Sequence, residues 1–157
     1  KGFESALMSA FRGLDPTRPV VVEAESSRIG SLRLPPALWR AMSGAPRVVI
    51  EAPLEARARF LRVAYSDLQT SRGGLVDLLE GLRPLRGRAL VETWQEQARA
   101  GEWEALAAGL MQHHYDPAYA RARDAGAPAA TVRAERLDTG DLPGLADRVM
   151  AALAQVE

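Results

Sequence analysis

The sequence of this 157-residue chain predicts an α/β fold, in which helices cover both faces of a parallel sheet. Two observations predict buried strands: residues 20–22 and residues 48–50 are continuous runs of β-branched residues, typical of parallel strands covered on both faces. A third strand is predicted over residues 131–137, where apolar and polar residues alternate as at a sheet edge. Segments with helical periodicity separate the three strands, which is the order of a doubly wound sheet.

The first elements are a helix, a strand and a second helix. Apolar side chains recur at helical spacing over residues 2–12, and Gly13 with Asp15-Pro16 then ends the helix. The strand at residues 20–22 follows. After a loop through Gly30, Pro35-Pro36 opens a short helix, which ends before Pro46.

The second strand leads into a long helical region. Glu51-Ala52-Pro53 precedes an amphipathic helix, whose apolar stripe comprises Leu54, Ala58, Leu61, Tyr65 and Leu68. Helical periodicity then extends over residues 74–125, which we interpret as a helical insert. A strand and helix over residues 131–156 form the terminal unit.

The three predicted strands leave the sheet incomplete. Strands buried on both faces need neighbours, and three strands alone leave faces and edges poorly covered. We therefore interpret residues 1–157 as a portion of one α/β domain and expect a neighbouring strand from polypeptide outside this sequence.

Composition excludes several classes of site and partner. Twenty basic residues balance twenty acidic ones, so net charge gives no reason to expect a nucleic-acid or membrane partner. The absence of cysteine excludes a thiol nucleophile, a disulfide and a cysteine zinc site. No apolar run approaches the roughly 18 residues of a membrane span, and no signal segment is recognisable, so we expect a water-soluble, cytoplasmic protein.

Catalytic motifs are missing as well. A Walker A loop needs a lysine after its glycine, and the only lysine is Lys1. Adjacent His113 and His114 lack the i, i+4 spacing of a zinc helix. We assign no catalytic residue and no metal ligand to this chain.

Polar residues at the ends of the first two strands are candidates for binding phosphate. Ligands of open α/β sheets lie beyond the carboxyl ends of the strands, where this sequence has Glu23, Glu25, Ser26 and Glu51. A basic rim could come from Arg28, Arg57, Arg59 and Arg62. The alternative is structural: acids after strands cap helices, and exposed arginines pair with acids such as Glu55.

The most unusual string is His113-His114-Tyr115-Asp116-Pro117, with Tyr119 close behind. A polar cluster at a helix end, with Asp116-Pro117 starting the next helix, is the structural interpretation. The functional one is that Tyr115 or Tyr119 stacks on an RNA base.

Four motifs resemble the C-terminal region of bacterial tRNA 2-selenouridine synthases, and the resemblance covers nearly the whole chain. They are Phe3-Glu4-Ser5; Val22-Glu23-Ala24-Glu25-Ser26 with Ile29-Gly30; Glu51-Ala52-Pro53 with Arg57; and His114-Tyr115-Asp116-Pro117 with Tyr119. The resemblance implies an incomplete P-loop NTPase-like domain that begins after its Walker A segment. It also implies an N-terminal rhodanese-like domain carrying the catalytic cysteine.

The resemblance further implies a tRNA-modifying transferase. That family replaces sulfur by selenium in wobble 2-thiouridine through an S-geranyl intermediate, using geranyl diphosphate and selenophosphate. By position, Glu23, Glu25 and Ser26 would face the phosphate site. Arg57, Arg59 and Arg62 would act as a lid for diphosphate or tRNA backbone. His114, Tyr115 and Tyr119 would contact tRNA or support that lid. No tightly bound cofactor is expected, and the need for magnesium stays open.

Two other interpretations remain. The chain could be a fragment of a small-molecule kinase-like P-loop enzyme, because strand, arginine-bearing helix and terminal β-α unit occur in such kinases. It could also be a non-catalytic RNA-binding or assembly module whose helical insert docks a partner.

Overall fold

The structure is a computed structural model that describes residues 2–23, 26–70, 72–122, 127–138 and 140–156. The chain divides into two compact units, Lys1–Ala45 and Pro46–Glu157, each with its own set of helices and strands. The α/β class is confirmed, with one parallel and one antiparallel pair of strands. That the whole chain is part of a single domain stays a prediction.

In its described residues, the first unit contains two helices and a small hairpin. Helix α1 (Gly2–Arg12) and helix α2 (Pro36–Gly44) confirm the two predicted helices. Strands β1 (Arg28–Ile29) and β2 (Leu32–Arg33) pair antiparallel where only a loop was expected. Gly30 has a φ of +60°, which glycine adopts without strain and which a two-residue hairpin turn requires.

The predicted strand at residues 20–22 is wrong. These residues belong to neither sheet, and the side chains of Val20, Val21 and Val22 are each just over half exposed. β-Propensity describes how well a side chain fits a pleated, half-buried surface, and a strand forms only where a neighbour completes its hydrogen bonds. No segment among the described residues pairs with this run.

The parallel sheet therefore has two strands, not three, within the described residues. Strands β3 (Val48–Glu51) and β4 (Ala130–Arg133) pair in register from Val48 opposite Ala130 to Glu51 opposite Arg133. The backbone amide of Ala134 donates the last hydrogen bond to the carbonyl of Glu51, at 2.8 Å. Strand β4 is shorter than predicted because β3 runs into Pro53, which has no amide hydrogen to extend the ladder.

Helices make up most of the second unit. They are α3 (Leu54–Ala64), α4 (Ser66–Thr70), α5 (Arg72–Glu80), α6 (Arg83–Arg86), α7 (Arg88–Ala100), α8 (Trp103–Leu110), a π-helical turn (Met111–Tyr115), α9 (Asp116–Ala122) and α10 (Leu142–Leu153). The predicted helical character is confirmed for residues 74–122; residues 123–125 lie outside the described part. Helix α3 ends one residue before Tyr65, so Tyr65 and Leu68 are exposed and do not extend the buried stripe as predicted.

Two hydrophobic cores stabilise the second unit. Helices α5, α7 and α8 bury Leu79, Val91, Trp94, Ala98 and Leu106. A second core joins β4 to α10 through Val132, Ala134 and Leu145. Within the described residues, no helix is long and apolar enough to cross a bilayer.

Helices α7 and α8 approach each other very closely at Gly109. A Cβ atom built there would lie 2.7 Å from Nε1 of the buried Trp94 ring. Only glycine leaves the room that this contact needs.

Candidate functional site

A cleft of about 770 Å³ lies at the carboxyl ends of β3 and β4. One wall consists of residues 50–53 and 133–135, which end the two strands. The other wall is helical and comprises Met111, Tyr115, Asp116, Tyr119 and Ala120. The carboxyl edge of a parallel sheet is where α/β folds bind their ligands, so this cleft is the candidate site.

The π-helical turn shapes the helical wall of the cleft. The amide of Asp116 donates to the carbonyl of Met111, five residues earlier. Pro117 follows, and within a regular α-helix its ring would collide with the carbonyl of His113. Widening the turn by one residue relieves that conflict and rotates the flanking side chains by about 100° relative to a regular helix. Tyr115 and Asp116 both line the cleft at this turn.

A two-pronged ion pair joins the two walls. Nη1 of Arg57 on α3 donates to Oδ1 of Asp116 at 2.7 Å, and Nη2 donates to Oδ2 at 2.9 Å. The hydrogen bonds to Asp116 raise the pKa of Arg57, so its guanidinium stays charged at all ordinary pH values. Arg57, predicted to bind phosphate, thus has its guanidinium fork directed at a carboxylate.

His114 is not among the residues that line the cleft. Its Nδ1 accepts a hydrogen bond from Nε of Arg86 at 3.0 Å, and its backbone carbonyl accepts one from Nη2 at 3.2 Å. Burial, followed by the Arg86 charge, lowers the pKa of His114. A neutral imidazole is also what the hydrogen bond at Nδ1 requires, because a protonated ring has no acceptor. The structure therefore shows His114 hydrogen-bonded to Arg86, whereas the sequence predicted that it contacts tRNA.

The other predicted arginines also lie outside the cleft. Arg62 pairs with Glu104 of α8 at 3.0 Å, and both side chains are about half exposed. Arg59 is exposed, and within the described part of the chain no ion-pair partner is found for it. In the first unit, the Ser26 hydroxyl accepts from the Arg28 amide at 3.0 Å, and Arg28 Nε donates to the Gly30 carbonyl at 2.9 Å. These bonds support the hairpin turn.

The cleft brings together four of the predicted residues, namely Glu51, Arg57, Tyr115 and Tyr119. Glu23 is exposed in the first unit, and Glu25 lies outside the described residues. Sequence reasoning missed Arg133, Glu135 and the pairing role of Asp116. Arg133 lay within the predicted strand at residues 131–137, and only the observed end of β4 places it at the carboxyl edge of the sheet.

Charges in the cleft are mixed. Among the described residues that line it, three are acidic (Glu51, Asp116 and Glu135) and two are basic (Arg57 and Arg133), a formal net charge of −1. Nε of Arg133 lies 3.6 Å from Oε2 of Glu51, its neighbour across the strand pair. No group of three or more His, Asp or Glu side chains in the described part could hold a metal ion.

Comparison with known families gives this geometry a context. The family model of the tRNA 2-selenouridine synthase AAA domain matches residues 1–74. The resemblance to tRNA 2-selenouridine synthases is confirmed. An AAA domain also fits the P-loop-like fold that the resemblance implied.

Curated relatives extend the similarity further along the chain. The chain is 30% identical over 142 residues to the tRNA 2-selenouridine synthase of Chromohalobacter salexigens, covering 74% of this chain and 39% of the relative. It is 32% identical over 126 residues to that of Pseudomonas paraeruginosa and 33% identical to that of Pseudomonas aeruginosa, each covering 64% of this chain and 34% of the relative. The chain thus spans little more than a third of the length of these relatives. No solved structure matches.

Proposed function

We propose that this chain is the C-terminal part of a tRNA-modifying transferase that converts wobble 2-thiouridine to 2-selenouridine through an S-geranyl intermediate. The observation that carries the proposal is the family match, because relatives named tRNA 2-selenouridine synthase align with more of the chain than residues 1–74. In this proposal, geranyl diphosphate and selenophosphate are the donors, and the rhodanese-like domain and the Walker A segment belong to polypeptide outside this sequence.

The role that we propose for this part is binding tRNA and phosphate. Arg59 is the strongest cationic candidate, because it is exposed on α3 without an acidic partner among the described residues. Arg62 can join it, because a half-exposed ion pair such as Arg62 with Glu104 contributes only about 0.2–1 kcal/mol and can exchange for a phosphate. Arg57 acts differently: held by Asp116, it positions the helical wall.

In the first unit, we propose that Glu23, Glu25, Ser26 and Arg28 contact the phosphate groups of the donors. The Arg28 guanidinium supports this role, because its bond to a neutral carbonyl leaves its charge uncompensated. Glu51, Tyr115 and Tyr119 would contact the tRNA within the cleft. His114 would contribute by holding the π-helical turn against Arg86.

Salt dependence of tRNA binding tests this proposal. Affinity of the chain for tRNA should fall steeply as salt rises, since each neutralised phosphate releases counterions. Arg59→Gln should weaken binding and reduce the slope of log affinity against log salt by about 1 for the lost contact. Arg40→Gln, an exposed arginine on α2, is the matched control and should leave the slope unchanged.

The contrary result is also clear. If the chain binds tRNA without salt dependence, or not at all, it does not supply phosphate contacts. The docking interpretation of the helical region would then be favoured.

A further inference from the structure

We propose that the cleft receives an unstacked base of single-stranded RNA, which stacks on Tyr115 and presents its hydrogen-bonding edge to Glu51 and Arg133. The inference rests on the proposed RNA binding and names the chemical group that this cleft takes. It assigns to Arg133 a role in recognising the base.

Tyr115 has the placement of a stacking platform. Its side chain is 49% exposed although it lines a cleft, so one part of the ring is available within a concave site. The neighbouring His114 ring meets it at 84° with 5.3 Å between centroids, so the imidazole does not stack on it in parallel. RNA-binding proteins commonly hold splayed-out bases on such tyrosines.

The charges in the cleft favour a neutral ligand over a phosphate. The lining has a net charge of −1, and the fork of Arg57 is directed at Asp116. A phosphate or diphosphate placed there would meet more acidic groups than basic ones. A base carries no charge, so the net negative charge of the lining does not repel it.

Glu51 and Arg133 match the edge of a base. They are direct neighbours across the strand pair, and the 3.6 Å between Nε and Oε2 is longer than a hydrogen bond. Glu51 offers hydrogen-bond acceptors and Arg133 offers donors, next to each other at the carboxyl edge of the sheet. The edges of bases likewise place donors next to acceptors, so one base can bond to both residues.

The size and walls of the cleft suit a nucleoside. Its volume of about 770 Å³ lies within the range of about 300–1,000 Å³ for small-ligand sites. Ile50, Ala52, Met111 and Ala134 give it an apolar lining around the polar groups. Apolar walls with a few placed polar groups are what bind an aromatic heterocycle.

Fluorescence anisotropy with two short RNAs tests the proposal. A labelled uridine heptamer is compared with an abasic ribose-phosphate heptamer of the same length and charge. The chain should bind the base-bearing RNA more tightly. Tyr115→Ala should weaken that binding by about 5- to 150-fold, the range for losing one base–aromatic stack, and should leave the abasic RNA unaffected.

Three variants complete the design. Tyr115→Phe keeps the ring and should retain binding. Tyr65→Ala removes a tyrosine of similar exposure that follows α3, outside the cleft, and should change nothing. Arg133→Gln should alter the relative affinities for uridine, cytidine and adenosine heptamers, because it changes edge recognition and leaves the stack intact.

Two outcomes would overturn the proposal. One is equal affinity for base-bearing and abasic RNA; the other is equal affinity of the Tyr115→Ala and Tyr65→Ala variants. If tRNA binding still falls with salt in those cases, the proposed tRNA role stands and only the base site is lost. Unchanged circular dichroism of each variant shows that the effect lies in binding and not in folding.

Discussion

The ion pair between Arg57 and Asp116 should be measurable as a coupling free energy across the cleft. Exposed ion pairs contribute about 0.2–1 kcal/mol, whereas hydrogen bonds to charged groups contribute about 1.5–3 kcal/mol. This pair makes two such bonds, but its side chains keep 33% and 44% of their exposure, so solvent screens part of the gain. We expect a coupling of about 1 kcal/mol.

A double-mutant cycle separates this coupling from other losses. Urea unfolding of the parent, Arg57→Gln, Asp116→Asn and the double variant gives four free energies of unfolding. The coupling is the difference between the effect of the double variant and the sum of the two single effects, so contributions of contacts made by one partner alone cancel. The cycle is repeated in about 1 M salt, where the screening length falls to about 3 Å and the coupling should shrink. A coupling near zero at low salt would refute the reasoning that this pair holds the two walls together.

Two further predictions concern the helical region. Gly109→Ala should destabilise the protein by up to about 2 kcal/mol in urea unfolding, because overpacking against Trp94 costs about 1–3 kcal/mol and the gain in helix propensity offsets about 1. Gly144→Ala, where a Cβ meets open space, should stabilise it, and stabilisation by both changes would contradict the close contact. The lowered pKa of His114 means that the unfolded chain binds its proton more readily, so stability present above about pH 6.5 should be lost as pH falls through the folded pKa. His114→Asn, which keeps an acceptor for Arg86, should reduce this loss between about pH 7.5 and pH 5. An acid sensitivity equal to that of the parent chain would count against this prediction.

Local patterns in the sequence predicted the helices well. Periodicity together with glycine and proline signals located α1 and α2 to within a residue or two. They also located the start of α10, which ends three residues before the predicted residue 156. The β-branched run and Pro53 also located the carboxyl end of β3, so Glu51 was placed correctly. Each of these features depends on interactions between residues that are close in sequence.

Features that depend on distant partners could not be predicted in this way. Residues 20–22 have the composition of a buried strand, yet their state is decided by whether another strand pairs with them. Arg57 and Asp116 are 59 residues apart in sequence, and nothing local indicates that they meet. Asp116-Pro117 was correctly placed at the start of a helix, but no local pattern indicated the π-helical turn that precedes it.

The parallel pairing of Val48 with Ala130 has a kinetic consequence, because the whole helical region lies between the two strands. The backbone hydrogen bonds within each helix of that region are short-range in sequence, and such contacts form quickly. Joining β3 to β4 instead requires closing a long loop, which costs chain entropy before any hydrogen bond between the two strands forms. The helices between β3 and β4 shorten the effective length of this loop once they are formed. The cleft should therefore be assembled late in folding, when the strands that carry one wall finally meet.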